Sequence, residues 1–553
     1  MHARRAGLES CQDANNANVG ESNGGCSNQL HQFVDSLEEN DRDRQKPDSI
    51  RSHSRDSRPR ILGSLRDVST HGPGQTTVLL KRFYDDGLAQ ASYVLGAETT
   101  GEALVIDPLR DLEPYLAFAA AKELRITHVT ETHIHADFLS GARDLVRQTR
   151  ARLLVSAEGG AEWQYRFDAK ESAELLRDGD TFTVGEIGVE ARHMPGHTPE
   201  HLVFFVTDGA VADKPVGVFT GDFIFAGDVG RPDLLERAAH MSGTMEQSAR
   251  ALFQSLRTMR EFPEYLQVWP GHGAGSACGK ALGSMPSTTL GYERLFNWAF
   301  QVTDEDEFVQ QVLAGQPEAP RYFGRMKLLN RNGPPPRPTA AFARVDAAAL
   351  ASTVERDDAT VVDTRSTASF TAGFIPGTIH IPASRSFTTW AGSLLSPDRD
   401  IVLVADGEAR ARTLVRELSL IGLDRVTGWA NIDVLDAWRR SGRAIDCAPT
   451  VTARALAELD EAQVIDVRAE SEWDDGRIPG ARHIFLGDLL DASDELPRDR
   501  PLVISCQGGS RSSIGASLLR ARGFTNVINF TGGFAEWQKA GLPVETDGSP
   551  ATR

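Results

Sequence analysis

Cysteine is scarce in this chain of 553 residues: there are 5. So few do not make a disulfide framework, and their scarcity points to a reducing, cytoplasmic compartment. No run of about 18 or more apolar residues occurs, which excludes a transmembrane helix and makes a membrane partner unexpected. Positive charge is also short, with 59 Lys+Arg against 77 Asp+Glu and a net charge of −18. That balance argues against a nucleic-acid-binding face, which needs a basic surface. The rest is ordinary globular composition, 40% hydrophobic and 25% charged. At about 150 residues per domain the length corresponds to three or four domains.

Residues 1–75 differ in composition from the rest of the chain. Runs such as NNANVGESNGGCSN and RSHSRDSRPR are poor in apolar residues. Such a stretch buries too little surface to offset its ordering entropy, so disorder is expected. It lacks the apolar segment of a secretory signal and carries too many acids for a transit peptide. Cys11 and Cys26 lie there, as exposed thiols.

From 76 to 331, apolar runs (YVLGAE, EALVIDP, ITHVTETH, ARLLVSA, VGVFTGD, LQVWPGHG) alternate with turn signals and helical patterns such as MEQSARALFQSL. Short strands mixed with helices predict a layered α/β domain. Four clusters follow apolar runs: His133-Ile134-His135-Ala136-Asp137, Gly196-His197, Gly221-Asp222 and Gly271-His272. In an extended segment His133, His135 and Asp137 point to one side and can converge. Glycine in the other three lets the backbone turn close to a ligand. A lone His-x-His is weak; four clusters in this order point to a metal.

That order resembles the metallo-β-lactamase superfamily. The longer stretches THIHADF, MPGHTPEH, TGDFIFAGDVGRPDL and PGHGAGSACGK resemble persulfide dioxygenases, in particular bacterial members fused to rhodanese domains. The resemblance implies an αββα sandwich with its metal at one edge of two packed sheets. Binuclear hydrolases of the superfamily, such as glyoxalase II, carry His directly after the motif Asp. Here that position is Phe138, which cannot ligate, so one metal per chain is expected. By the same resemblance its ligands are His133, His197 and Asp222. Two imidazoles and one carboxylate suit Fe(II) and O2, while Zn(II) stays the alternative. His135, Asp137 and His272 are then groups that orient ligands or bonded oxygen. Arg231 is the candidate contact for substrate, with a plain salt bridge the other reading. Lys280 is a second candidate for a positive pocket, and Cys278 reads as a buried thiol or a sulfur carrier.

The segment 332–340, with Asn332-Gly333-Pro334-Pro335-Pro336-Arg337-Pro338, reads as a stiff linker. Beyond it a pattern repeats. Asp363-Thr364-Arg365 through Pro376-Gly377 returns 103 residues later as Asp466-Val467-Arg468 through Pro479-Gly480. Strands alternate with helices in each copy, which predicts two tandem parallel α/β domains, 341–446 and 450–546, and a short tail at 547–553. The second copy carries Cys506-Gln507-Gly508-Gly509-Ser510-Arg511-Ser512 between a strand and a helix. Free N–H groups of Gly508, Gly509 and Ser510 at a helix N-terminus stabilise a thiolate and cradle a terminal sulfur, with Arg511 closing the ring. This loop resembles the rhodanese active loop. In the first copy Asp406 stands where Cys506 does, in an acidic loop, so that copy is expected to be non-catalytic and to act as a scaffold.

The expected activity is oxidation of a glutathione or coenzyme A persulfide by O2 to sulfite and thiol, with Cys506 as nucleophile for sulfur transfer. Cys506 either makes thiosulfate from the sulfite or supplies the persulfide. The alternatives are a zinc thioester hydrolase of the glyoxalase II type and a non-enzymatic sulfur carrier. Homo-oligomerisation is left open.

Overall fold

Strands β1 (Val78–Asp85), β2 (Gln90–Ala97), β3 (Glu102–Ile106), β4 (Arg125–Thr130), β5 (Arg152–Ser156) and β6 (Ala173–Leu176) form one sheet in that order. The first three pair antiparallel and β3 to β6 pair parallel. A second sheet runs β12-β11-β10-β9-β8-β7, from β7 (Thr181–Val184), β8 (Ile187–His193), β9 (Leu202–Asp208), β10 (Gly217–Gly221), β11 (Gln267–Pro270) and β12 (Thr288–Thr289). The computed structural model describes residues 78–166, 172–237, 243–336, 342–459 and 461–546. The expected tails at 1–75 and 547–553, and part of the linker, lie outside the described residues.

The inner strands of both sheets are buried on both faces, and the period of two in a strand sorts their side chains. Ala91, Tyr93 and Leu95 of β2 meet Leu202, Phe204 and Val206 of β9 between the sheets. Val94, Ala103 and Val105 point outward, onto helices Glu113–Ala121 and Ala142–Thr149. Val203, Phe205 and Val218 point the other way, onto helix Met245–Met259. Helix, sheet, sheet and helix give the αββα sandwich.

The repeat folds twice into a five-stranded parallel sheet. The first contains β13 (Ala343–Arg344), β14 (Ala359–Asp363), β15 (Ile379–His380), β16 (Asp400–Ala405) and β17 (Val426–Asn431), in the order β13-β17-β16-β14-β15. The second contains β18 (Thr450–Val451), β19 (Gln463–Asp466), β20 (Arg482–His483), β21 (Leu502–Ser505) and β22 (Val527–Phe530), in the equivalent order β18-β22-β21-β19-β20. The repeated Asp-x-Arg motifs end β14 and β19, where each arginine pairs with its aspartate, at 2.6 and 2.8 Å.

The three units do not hang on a spacer. Phe138, Leu139, Tyr322 and Met326 of the sandwich share one apolar cluster with Phe387, Leu414, Leu418 and Leu420 of the first repeat. Leu139 N–H donates to the Leu420 carbonyl at 2.7 Å. Arg110, buried, pairs with Asp424 at 2.7 Å and also donates to the Pro335 carbonyl, which pins the linker. Hydrophobic periodicity marks these side chains as buried but does not say which domain covers them.

Candidate metal centre and sulfur-carrier loop

The four sequence clusters all lie just past strand ends on one edge of the sandwich. His133, His135 and Asp137 follow β4, His197 follows β8, Asp222 follows β10 and His272 follows β11. Asp222 Oδ2 lies 4.0 Å from His133 Nε2, 3.5 Å from His197 Nε2 and 3.3 Å from His272 Nε2. Asp137 Oδ2 is 3.4 Å from His272 Nε2. All five side chains are buried.

The far nitrogen of each imidazole is anchored. His197 Nδ1 donates to the Arg231 carbonyl and His272 Nδ1 to the Ala89 carbonyl, each at 3.0 Å. His133 Nδ1 donates at 3.0 Å to the Thr132 hydroxyl, whose own proton goes to Asp107. These bonds fix the tautomers, so that three Nε2 lone pairs face inward. Neither oxygen of Asp137 or Asp222, nor His272 Nε2, has a hydrogen-bond partner among the described residues. Buried carboxylates left this way are costly unless a cation meets them. His133, His197 and Asp222 can hold one metal ion, and Asp137, His272 and Cys278 form a second group of possible ligands.

The His133 and His135 rings lie 4.2 Å apart, but His133, His135 and Asp137 do not form one group of ligands. Residues 131–138 form an irregular loop, not a strand, so alternate side chains need not share a side. His135 turns to Asp107, with Nε2 to Oδ1 at 3.0 Å. Burial alone would depress the His135 pKa, but the carboxylates of Asp107, Glu131 and Asp137 outweigh it and raise it to about 9. Asp137 joins His272 and Cys278 instead. Burial pushes the Cys278 thiol up to about 12.

Arg231 does not open onto the centre. Its guanidinium is buried and grips both Asp233 oxygens at 2.7 Å, and Nη1 donates to the Ala277 carbonyl. Its local role is architectural, because its carbonyl holds His197. Lys280 reaches away too, with its ammonium on the Gln311 carbonyl and 4.6 Å from the centre of the Trp298 ring. Arg231→Ala is expected to lower stability by about 3–5 kcal/mol, since it breaks a fully buried ion pair. Denaturant titration measures this. An unchanged midpoint with a raised substrate KM would instead make Arg231 a substrate contact.

Sequence reasoning missed the residues that hold the loop. Asp107 accepts from Thr132 N–H at 2.7 Å and from the Thr132 hydroxyl at 2.9 Å. It adopts φ +51°, a left-handed conformation that Asp tolerates better than most residues. The signal was present in VIDP, an apolar strand stopped by Asp-Pro. Glu200 accepts from Ile134 N–H at 2.8 Å, and burial pushes its carboxyl up to about 7. His201 Nε2 accepts from Asp222 N–H at 3.2 Å.

In the second repeat Cys506 is buried at the end of β21. Gly509 N–H donates to its sulfur at 3.1 Å and the Ser512 hydroxyl lies 3.5 Å away. Gly509 has φ +95°, and a Cβ there would stand 1.8 Å from the Thr531 carbonyl oxygen, so the turn admits only glycine. Gly508 has open space where its side chain would be, and Ser510 opens the helix Ser510–Ala521. Arg511 makes a two-pronged ion pair with Glu472 at 2.5 and 2.7 Å. In the first repeat the helix Gly407–Leu420 begins directly after Asp406. The residues aligned with the Gly508–Gly509 loop are wound into its first turn, so that copy lacks both the thiol and the open loop.

The metallo-beta-lactamase superfamily model matches residues 85–272, and the rhodanese-like domain model matches 346–436 and 451–540. A crystal structure of a metallo-beta-lactamase from Staphylococcus aureus subsp. aureus COL is 40% identical, with a TM-score of 0.60, over 64% of this chain and 99% of that one. Human mitochondrial persulfide dioxygenase ETHE1 is 30% identical over 180 residues, 32% of this chain and 63% of its own. A hydroxyacylglutathione hydrolase of Prochlorococcus marinus (strain MIT 9211) is 27% identical over 175 residues, 32% of this chain and 62% of its own. The match thus spans less than two thirds of either curated relative. No helix among the described residues is long and apolar enough to cross a membrane.

Proposed function

Because this chain belongs to the metallo-beta-lactamase superfamily and carries two rhodanese-like domains behind that fold, we propose that it is an iron-dependent persulfide dioxygenase coupled to sulfur transfer through Cys506. The overall oxidation is R–S–SH + O2 + H2O → R–SH + sulfite + 2 H+, with R a small thiol such as glutathione or coenzyme A. Cys506 then passes a sulfane sulfur to sulfite, giving thiosulfate, or works in reverse to supply the persulfide. Such a pair of activities suits removal of sulfide and sulfane sulfur in the cytoplasm.

The observation that carries this reading is Phe138. It is buried, its ring lies 4.4 Å from the His135 ring, and it packs into the apolar cluster shared with the first repeat. The position after Asp137 therefore offers no ligand, which favours one metal held by His133, His197 and Asp222. Bound there, Fe(II) supplies the one-electron chemistry that lets O2 react with a persulfide sulfur. The chain does the rest. Thr132, the Arg231 carbonyl and the Ala89 carbonyl orient the three imidazoles, while Asp107 and Glu200 hold the loop. Phe138 and Phe225 keep water from that side. At the second site the Gly509 N–H meets the Cys506 sulfur, which is the nucleophile.

Asp137, His272 and Cys278 favour a second reading, a two-metal zinc hydrolase acting on thioesters. One experiment separates them. Anaerobically purified, metal-quantified protein receives glutathione persulfide in an oxygen electrode, and S-lactoylglutathione in a parallel assay. O2 uptake proportional to one iron per chain, with sulfite or thiosulfate appearing, supports the dioxygenase. No uptake from iron-replete protein, together with thiol release from the thioester, supports the hydrolase.

A further inference from the structure

The first repeat has no thiol at its strand end, yet it holds the second repeat's helix by Asp446, which pairs with Arg520 near the helix C-terminus, and by two further contacts nearer the Cys506 loop. Those two come from His380, at the end of β15. Its backbone N–H donates to the Ser517 hydroxyl and its Nδ1 meets the Ser513 hydroxyl, each at 2.9 Å. Its Nε2 donates to the Arg365 carbonyl at 3.0 Å, which fixes the neutral tautomer and leaves Nδ1 to accept the Ser513 proton. Burial, the largest influence on this imidazole, favours the same neutral form.

Ser513 and Ser517 sit one turn apart on one face of the helix Ser510–Ala521. Both are buried, where an unbonded hydroxyl is costly. Ser517 is fully used, accepting from His380 and donating to the Ile514 carbonyl at 2.7 Å. Two anchors one turn apart oppose both sliding and rotation of the helix. The same helix starts at the loop that holds the Cys506 sulfur, and Ser512, next to Ser513, lies 3.5 Å from that sulfur. The aligned residue of the second copy, His483, keeps the Nε2 bond to a carbonyl, that of Arg468 at 2.8 Å, and stacks its ring on Trp473 as His380 stacks on Phe370, but bonds to no neighbouring helix among the described residues. Nδ1 has thus been turned to a second use only in the copy that lost its nucleophile.

We propose that the first rhodanese-like domain is a positioning element for the second, with His380 the positioning residue that sets the Cys506 loop. The inference rests on the reading of Cys506 as a sulfur carrier. It assigns the first domain a task in sulfur transfer beyond linking its neighbours.

The test uses the full chain with His380→Ala, His380→Asn, Ser513→Ala and the double variant His380→Ala/Ser513→Ala. Sulfur transfer from thiosulfate to an acceptor thiol is read as kcat and KM, and O2 uptake is read per iron. His380→Ala should lower the transfer kcat about tenfold, the size of one buried hydrogen bond lost, with KM and O2 uptake little changed. Asn offers an oxygen in place of Nδ1 and should restore most of the rate. Ser513→Ala should match His380→Ala, and the double variant should lose no more than either single one. Wild-type transfer by His380→Ala, equal damage from His380→Asn, multiplied losses in the double variant or a parallel fall in O2 uptake would each overturn the inference. If wild-type Cys506 takes up no sulfur at all, the sulfur-carrier reading falls first and takes this one with it.

Discussion

Asp222→Ala protein is expected to lose its metal and to consume O2 more than about 100-fold more slowly, a larger effect than the loss of an orienting group brings. The carboxylate of Asp222 stands between His133, His197 and His272, within 4.0 Å of each Nε2. Without it His133 and His197 lose their carboxylate, His272 keeps only Asp137 at 3.4 Å, and a divalent ion loses the one anionic ligand of its set. The strand end itself should survive, because Gly221 makes the turn and the Asp222 N–H to His201 bond belongs to the backbone. Transfer of sulfur from thiosulfate should stay within about twofold of wild type, since Cys506 is built on a different sheet. Metal analysis, an oxygen electrode and a transfer assay on one preparation decide the matter. Retained iron with lost O2 uptake would move Asp222 out of the ligand set.

Cys506→Ser is expected to give the reverse pattern. A hydroxyl has the thiol's shape but cannot carry a sulfane sulfur, so transfer should fall by roughly 10³ or more. The serine hydroxyl still accepts from the Gly509 N–H and still donates to the Ser512 oxygen, so the loop should keep its form. O2 uptake with added glutathione persulfide should persist at wild-type iron content. Mass spectrometry after thiosulfate treatment gives a second check: wild-type protein gains one sulfur at Cys506 and the variant gains none. Residual transfer near the wild-type rate would point to another thiol, with Cys278 the first to test.

The residues whose partners lie close in sequence, or whose motif is dense, were readable before any fold was known. His197, Asp222 and His272 each sit behind a glycine at the end of an apolar run, and the Cys506 loop is bounded by strand and helix signals. The repeat announced two similar sheets, and both have the same strand order. The loop at 131–138 misled because a period of two applies only to extended chain, and this loop is bent along its length. Arg231 looked available because charge is visible in a sequence and burial is not. Yet its partner, Asp233, stands two residues away in Gly230-Arg231-Pro232-Asp233 and was the clue to a closed ion pair. Asp107 was out of reach for another reason: its contacts to Thr132 and His135 span a helix and a strand. The proline-rich segment marked a boundary in chain composition, but the cluster around Phe138 and Leu420 crosses it.

That shared cluster bears on the order in which the protein comes into being. A ribosome releases His133 and Leu139 long before Leu420, which comes about 280 residues later, and domains made first generally fold first. Here the first domain has only part of its cover when it emerges. Leu139 N–H, Phe138 and Tyr322 wait for the helix at Gly407–Leu420. The loop that carries His133 and His135 is therefore finished late, after most of the chain has left the tunnel. Metal loading should follow the same timetable. A nascent chain stalled before residue 420 would hold its ion loosely, and one stalled in the last domain would hold it as the finished protein does.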